Sequence, residues 1–541
     1  MDSAHVVLGI DLGTVTCRVA VYQNHNTYIY LDNRYNISSC VSFTDEKILM
    51  GNIAKHNMYL NFFRTVYDIK KLIGRKYTDK KTRYLLNYYP FNMVCINGFL
   101  GIELKYKKKP CLFYLEEMWA ALIHDIKTKI EGKVKKNIYK VVLAVPCFFT
   151  SNQRKSIKYS FQIAGLDVLT ILNECTAAAI GYHLSQNVDR LLVFNLGAGS
   201  FDASVISIKN CHVKTMAGVG DPDLGGRDFD YLMASHCALE FKKMHKKDIT
   251  RIKPAMARLV FACEKAKKQL SVQHNATIII YSLYKDIDFY LTISRGQFET
   301  LCCNLYIKIL HLINELMTLA DLKKSDINKV LLVGKSSKMP KIQDMLNKMF
   351  LLVITAPDDV IAIGATKYGS NVLSDSCIDK INITECISRT VSIEVVADVK
   401  EVLIKRGAVL PYRSMRSFTS YETEQIGIDV KIYEGEKDYP KYNTKVYAMQ
   451  FFTPSVFVRG VPVVCVLIEV SCEGIFSLNI VDKMVDDGVI VYPWVYITEK
   501  DLTKMHKIIC LYKDSYDMKE LYRYIQERCM LLLDCKRKIE R

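Results

Sequence analysis

Residues 6–22 read VVLGIDLGTVTCRVAVY: an apolar run reaches a short turn holding Asp11, Gly13 and Thr14, then resumes. Residues 191–208, LLVFNLGAGSFDASVISI, repeat the plan with Asn195, Gly197 and Ser200 in the turn. Apolar runs broken by glycine and polar residues predict strand–turn–strand units. Taken singly, each unit reads equally well as a plain hairpin with a glycine turn. Two copies far apart in one chain predict two related lobes. Small residues in such turns let backbone amides approach a phosphate.

A third segment, VLLVGKSSKMPKIQDMLNKMF at 330–350, runs from a buried-type strand through a turn into an amphipathic helix. Amides at such a helix start favour an anion. It is not a P-loop, because Lys329 stands where that motif requires its first glycine. Residues 255–271 predict a helix with Leu259, Cys263, Ala266 and Leu270 on its apolar side. From 390 to 498 the chain is rich in Val, Ile, Tyr, Phe and Thr, broken by turns such as EGEK and CEG, which predicts a compact β domain. After Leu502, the spacing of Met518, Leu521, Tyr522, Ile525, Cys529 and Leu532 is helical again and reads as a packing face.

Composition narrows the classes. A chain of 541 residues, 50% apolar and 24% charged, has the make-up of a folded soluble protein of two to four domains. The net charge of +17 invites a nucleic-acid partner, but the basic residues are dispersed and runs such as KKK at 107–109 are short. Aromatics do not interleave with a basic stripe, so no nucleic acid is expected. The 18 cysteines contain no Cys-x-x-Cys pair and read as free thiols of a reducing compartment. The start VVLGI meets Asp11 too soon for a secretory leader. The run VPVVCVLIEV at 461–470 is too short for a membrane helix. The expectation is a cytoplasmic protein, with nuclear access open and no membrane partner.

The order of motifs resembles the heat-shock 70-kDa chaperone family, within the actin and sugar-kinase ATPase superfamily. The residues that carry it are GIDLGT (9–14), DIKKLIGRK (68–76), VPCFFTSNQRKSI (145–157) and AGLDVLTILNECTAAAIGY (164–182). FNLGAGSFD (194–202), GDPDLGGRDFD (220–230), CEKAKKQLS (263–271), LVGKSSKMPKIQ (332–343) and PDDVIAIGA (357–365) continue it, and VLIKRGAVLP (402–411), IYEGEK (432–437) and VRGVP (458–462) extend it into the β region.

The resemblance implies a two-lobed α/β actin-like ATPase domain over 1–376, a linker at 377–389, a β-sandwich peptide-binding domain over 390–501 and a truncated helical lid over 502–541. It implies ATP or ADP with Mg2+, and K+ as a further cation. Asp11, Gly13 and Thr14 would face the β- and γ-phosphates, Asp11 meeting the metal through water. Lys70 matches the lysine that orients the attacking water, Glu174 the carboxylate that organises metal-bound water, and Pro146 an interlobe relay. Gly197, Gly199, Ser200 and Asp202 fall on the second phosphate loop, and Gly225 and Gly226 on a third. Glu264, Lys267, Lys268 and Ser271 match ribose and adenine contacts, and Gly334, Lys335, Ser336, Lys338 and Asp358 complete the adenosine side. Ile393, Phe418 and Ile428 match the peptide groove, with Val396 and Tyr421 arching over it; Ile393 and Phe418 read equally well as sandwich core. Implied partners are unfolded apolar peptide segments, with J-domain and nucleotide-exchange co-chaperones.

The chain also departs from the pattern. Asn195, in the catalytic group, replaces a carboxylate and would stand opposite Asp11 across the phosphates. Ala198 replaces a glycine of the same loop, Lys335 the second glycine of VGGS, Lys268 an arginine and Cys175 a proline. Val15 and Cys17 replace hydroxyl residues, and DKINITECIS (379–388) lacks the acidic-then-leucine run that docks the linker. The expected function is a chaperone with weakened ATP hydrolysis. A nucleotide-binding scaffold or co-chaperone without an ATPase cycle is the alternative. A sugar kinase or filament protein has no place for the β domain.

Overall fold

In the computed structural model, Val7–Leu12 (β1) is buried at every position, because it lies inside a sheet with a neighbour on each edge. It pairs antiparallel with Thr16–Gln23 (β2), which pairs with Asn26–Tyr30 (β3). On its other side it runs parallel to Lys140–Val145 (β4), which runs parallel to Asp167–Asn173 (β5). The order is β5-β4-β1-β2-β3, with Ile37–Ser38 paired to β2. The structure describes residues 6–23, 26–30, 36–79, 82–83, 86, 88–183, 188–374, 380–395, 398–419, 427–452, 462–482 and 501–506.

The second lobe repeats this plan. Val188–Leu196 (β6) pairs antiparallel with Phe201–Lys209 (β7), and β7 with His212–Asp221 (β8). On the other edge β6 runs parallel to Lys329–Val333 (β9), and β9 to Val353–Thr355 (β10). The order β10-β9-β6-β7-β8 reproduces the first sheet strand for strand, so the repeat seen in sequence is a repeat in topology. Glu174–His183 (α1) follows β5. Lobe II carries Gly226–His245 (α2) and Lys253–Leu270 (α3), and Val360–Leu373 (α4) follows β10.

The sequences TAAAIGY and AIGATKYG become intelligible where α1 and α4 pack together. A Cβ on Gly364 would overlap the Ala177 carbonyl oxygen, so only glycine lets the two backbones approach this closely. Each lobe has its own core. Trp119, Phe43 and Phe148 belong to the first, and Phe194, Phe201, Phe229 and Phe241 to the second; each such side chain contributes about 1.5–3 kcal/mol.

The β region is a sandwich. Val399–Ile404, Val391–Val395, Gly427–Glu434 and Thr444–Phe452 form one sheet, and Tyr412–Thr419, Pro462–Val470 and Phe476–Asp482 the other. Ile393 and Ile432 from one sheet share a core with Ile468, Leu478 and Ile480 from the other.

The segment without a leucine run does dock on the nucleotide domain: Asn382–Thr384 (β11) pairs parallel with residues 212–214 of β8 as the last strand of the lobe II sheet. Backbone pairing needs no leucine, and Ile381 and Ile383 pack against the core between the lobes. Glu385 accepts a hydrogen bond from Thr176 Oγ1 at 2.5 Å.

The sandwich rests on both lobes. The helix Ser151–Ile163, capped by Thr150, gives its Ser151 N–H to Glu434 at 3.1 Å, its Asn152 amide to the Val446 carbonyl at 3.1 Å and its Lys158 to Glu473 at 2.9 Å. Arg406 reaches Glu315 at 2.5 Å and the Gly218 carbonyl at 2.9 Å on lobe II. Residues 501–506 are helical, with Met505 buried against lobe I and the His506 ring bonded to the Ile163 carbonyl at 2.7 Å. The rest of the proposed lid, with its helical stripe from Met518 to Leu532, lies outside the described residues.

Gly364→Ala tests the helix contact. It is expected to lower the unfolding free energy of the nucleotide domain by about 1–3 kcal/mol through overpacking, read as a lower denaturant midpoint; an unchanged midpoint would contradict the contact.

Candidate functional site

The repeat brings the ends of β1 and β6 to one place. Asp11 lies near the end of β1, Glu174 opens α1 directly after β5, and Asn195 and Asp202 flank the turn between β6 and β7. Lys70 enters from the short helix Ile69–Leu72 of lobe I. All five are buried. Lys70 Nζ contacts Glu174 Oε1, and Asn195 Nδ2 donates to Glu174 Oε2 at 2.7 Å. Asn195 is thus bonded to Glu174, a partner that its place opposite Asp11 did not suggest.

Burial sets the electrostatics. It pushes Glu174 up to about 7; Lys70 opposes the shift while Asp11 and Asp202 add to it. Burial also pushes Asp202 up to about 6, against hydrogen bonds from Cys147. For Lys70 burial acts downward, but the Glu174 and Asp11 carboxylates outweigh it and hold the ammonium above its ordinary value. Cys147 gives its backbone N–H to Asp202 Oδ2 at 3.2 Å and its thiol to Oδ1 at 2.8 Å. Burial, with Asp202, keeps that thiol protonated. Cys147 follows Pro146, whose carbonyl accepts from Phe149 N–H at 3.1 Å. The Ser388 hydroxyl, beyond β11, donates to the Cys147 carbonyl. A bonded path therefore runs from Asp202 to the interdomain segment.

The small-residue loops converge as their composition suggested. Gly197 N–H bonds the Ser200 carbonyl at 3.0 Å, and Gly226 N–H bonds the Gly197 carbonyl at 3.0 Å. Ala198, for all its added Cβ, takes the Arg227 N–H at 2.7 Å. A Cβ on Gly199 would overlap the Thr14 hydroxyl, and one on Gly225 would crowd Gly199. Thr14, Lys70, Gly199 and Ser200 line one cavity with Lys71 and Arg75.

On α3, Lys267 bonds the Gly226 carbonyl at 2.6 Å and Asp230 at 2.7 Å, Lys268 bonds Glu264 at 2.5 Å, and the Ser271 hydroxyl returns to the Lys267 carbonyl at 3.2 Å. Glu264 also takes Arg227 at 2.8 Å. Although burial favours its neutral form, Arg227 and Lys268 hold it well below the usual carboxylate range. Arg227 reaches Asp68 of lobe I at 3.2 Å, Lys71 reaches Asp228 at 3.2 Å and Arg75 reaches Asp223 at 2.9 Å. These three ion pairs tie lobe I to lobe II. Sequence reasoning named Gly225 and Gly226 and passed over Arg227 beside them.

Gly334, at φ 80, stands beside Asn195 and leads into the turn Lys335–Lys338. Ser336 is buried beside Gly226, and Lys338 bonds Asp358 at 2.8 Å. Lys335 lies 3.7 Å from the same carboxylate. Arg18 was also missed. It lies directly across from Asp11 in the β1–β2 register, with Nη1 3.5 Å from Asp11 and Nη2 3.7 Å from Asp358. Cross-strand partners share a face, but the register that pairs them shows only in the structure.

In the sandwich, Ile393 is buried in the core and Phe418 is partly buried against it. Ile428 pairs with Phe451 through the backbone, while Val396 and Tyr421 lie outside the described residues.

The family model described as Hsp70 protein matches residues 7–510. A heat shock 70 kDa protein of Emericella nidulans is 33% identical over 487 residues, covering 88% of this chain and 76% of its own length. Heat shock cognate 70 kDa protein 3 of Dictyostelium discoideum is 32% identical, covering 92% of this chain and 82% of itself. A ribosome-associated molecular chaperone of Zygosaccharomyces rouxii is 32% identical, covering 88% of this chain and 80% of itself. With the doubled sheet and the sandwich beside it, these matches place the chain in the Hsp70 family of chaperones.

Proposed function

We propose that this Hsp70-family chain binds ATP or ADP with Mg2+ between its lobes and extended apolar peptide in its sandwich, and that it hydrolyses ATP only weakly. The observation that carries this reading is the state of Glu174, whose two oxygens are held by Lys70 and by the Asn195 amide. A carboxylate at 195 would set a second negative charge against Glu174. The amide donates a hydrogen bond instead, which keeps the cleft folded without a metal but withholds a charge from metal-bound water. By analogy with the loss of one preorganised electrostatic contact, turnover falls about 10²–10³-fold.

The donor set fits Mg2+. Asp11, Glu174 and Asp202 offer hard oxygen, and burial holds Glu174 and Asp202 above their ordinary values, so a cation would relieve them. Among the described residues no three acidic, His or Cys side chains converge to ligate a metal directly, which suits an ion that keeps its waters. Bound Mg2+ supplies charge neutralisation at the β- and γ-phosphates. The chain's own residues do the rest: Thr14 and Ser200 offer hydroxyls, the glycine turns offer amides, and Lys70 orients the attacking water.

Docking of β11 and the path Asp202–Cys147–Ser388 support coupling between cleft and sandwich. J-domain and nucleotide-exchange co-chaperones belong to the same reading, as does a cytoplasmic location: every described cysteine is free, and no described helix is long and apolar enough to cross a membrane. The scaffold reading draws on the interlobe ion pairs of Arg227, Lys71 and Arg75, which would slow opening of the cleft.

Asn195→Asp is expected to raise single-turnover ATP hydrolysis at least tenfold with little change in nucleotide affinity. A wild type as fast as the variant contradicts the inferred defect; binding without hydrolysis in both favours the scaffold. A pH dependence follows from Glu174 at about 7 and Asp202 at about 6. Both lie above unfolded values of roughly 4, so between about pH 4 and 7 the folded state holds more protons and stability falls as pH rises. Glu174→Gln is expected to flatten that slope in urea titrations; identical slopes would contradict the assignment.

A further inference from the structure

Arg18 is a buried cation whose hydrogen-bonding capacity is unspent. Its side chain is 10% exposed, and Nε has no hydrogen-bond partner among the described residues. Its two carboxylate neighbours, Asp11 at 3.5 Å and Asp358 at 3.7 Å, lie well beyond the roughly 2.7–2.9 Å of a charge-assisted hydrogen bond. A guanidinium offers five donors in a rigid fork, and leaving the buried Nε donor unmet is costly.

The surroundings carry surplus positive charge. Asp358 already has Lys338 at 2.8 Å, and Lys335 and Arg18 each add a cation at 3.7 Å to the same carboxylate. Burial first, then Arg18, lower the Lys335 ammonium below its ordinary value, as expected where three cations share the single carboxylate of Asp358. Arg18 also lies between two regions of the cleft: Asp11 stands at the first phosphate turn, and Asp358 beside the loop that begins at Gly334.

We infer that Arg18, with Lys335 beside it, grips the diphosphate of a nucleotide lying between Asp11 and Asp358, so that this chain holds ADP with little dependence on a divalent metal. The inference rests on the nucleotide reading of the cleft and adds a residue and a metal-independence to it. Planar, bidentate recognition of phosphate is what the guanidinium geometry suits, and the anion would meet the Nε donor that no side chain meets and the Nη donors that Asp11 and Asp358 hold only at long range. The same cation beside Asp11 competes for the carboxylate nearest the metal, which agrees with weak hydrolysis.

The test is calorimetry of ADP binding to the full chain, with Mg2+ and with EDTA, for wild type, Arg18→Gln and Arg18→Lys. Wild type is expected to lose less than tenfold in affinity when EDTA replaces Mg2+. Arg18→Gln should bind at least tenfold more weakly than wild type in EDTA, with a smaller loss in Mg2+, and Arg18→Lys should recover part of it. Thermal melts of each variant establish that it is folded; if Arg18→Gln does not fold, Arg18→Lys against wild type in EDTA decides, and equal affinity overturns the inference. A tenfold or greater loss in wild type on removing Mg2+, or an Arg18→Gln effect below tenfold in EDTA, also overturns it while leaving the nucleotide reading intact. Wild type that binds no ADP even with Mg2+ overturns the nucleotide reading, and this inference with it.

Discussion

The carboxylate of Glu174 is buried where a lobe I strand gives way to a helix, and a charge in such a place persists only if it is paired and hydrogen-bonded. Lys70 provides the pairing from lobe I and Asn195 provides the hydrogen bond from lobe II. One group thus holds the two halves of the repeat in register across the cleft. The glycine-bearing loops hang from the same strands: Gly13 and Thr14 follow β1, and Gly197 to Ser200 follow β6. Without Lys70, burial would push Glu174 further toward its neutral, protonated form.

Around that floor the lobes are joined by ion pairs. Arg227, Lys71 and Arg75 join the lobes, and Arg18 stands beside Asp11. The cleft is thus held together in part through its own charges. Catalysis of phosphoryl transfer depends on charge placed for the transition state, and charges already paired with one another are less free to take that role. In the proposed function, retained binding and weakened turnover share that one cause. The sandwich meets this machinery through β11, Ser388 and the helix Ser151–Ile163, so the interdomain segment is part of the lobe II sheet.

The doubled hairpin was legible because alternating apolar runs and glycine turns are local features, and their recurrence at long separation carries topology. Asp11, Lys70, Glu174, Asn195 and Asp202 were legible through their motifs, and the structure brings them together. Arg18 was not, because a lone arginine in a strand looks like any surface cation until the register with Asp11 is known. Arg227 was hidden because its partners Asp68 and Glu264 are distant in sequence and only folding brings them near. The docking of 382–384 does not show in its side chains, because a sheet edge accepts a strand through its backbone. Ile393 kept two readings in sequence, groove and core; the structure buries it in the sandwich core.

The central claim, a cleft that retains ATP and scarcely cleaves it, is tested most directly by analysing the nucleotide that stays bound. The wild-type chain would be loaded with ATP and Mg2+, freed of unbound nucleotide, and its bound fraction separated by chromatography over time. The expected result is about one nucleotide per chain, recovered mainly as ATP after many minutes. Recovery of ADP at the earliest times, or of no bound nucleotide, would contradict the account.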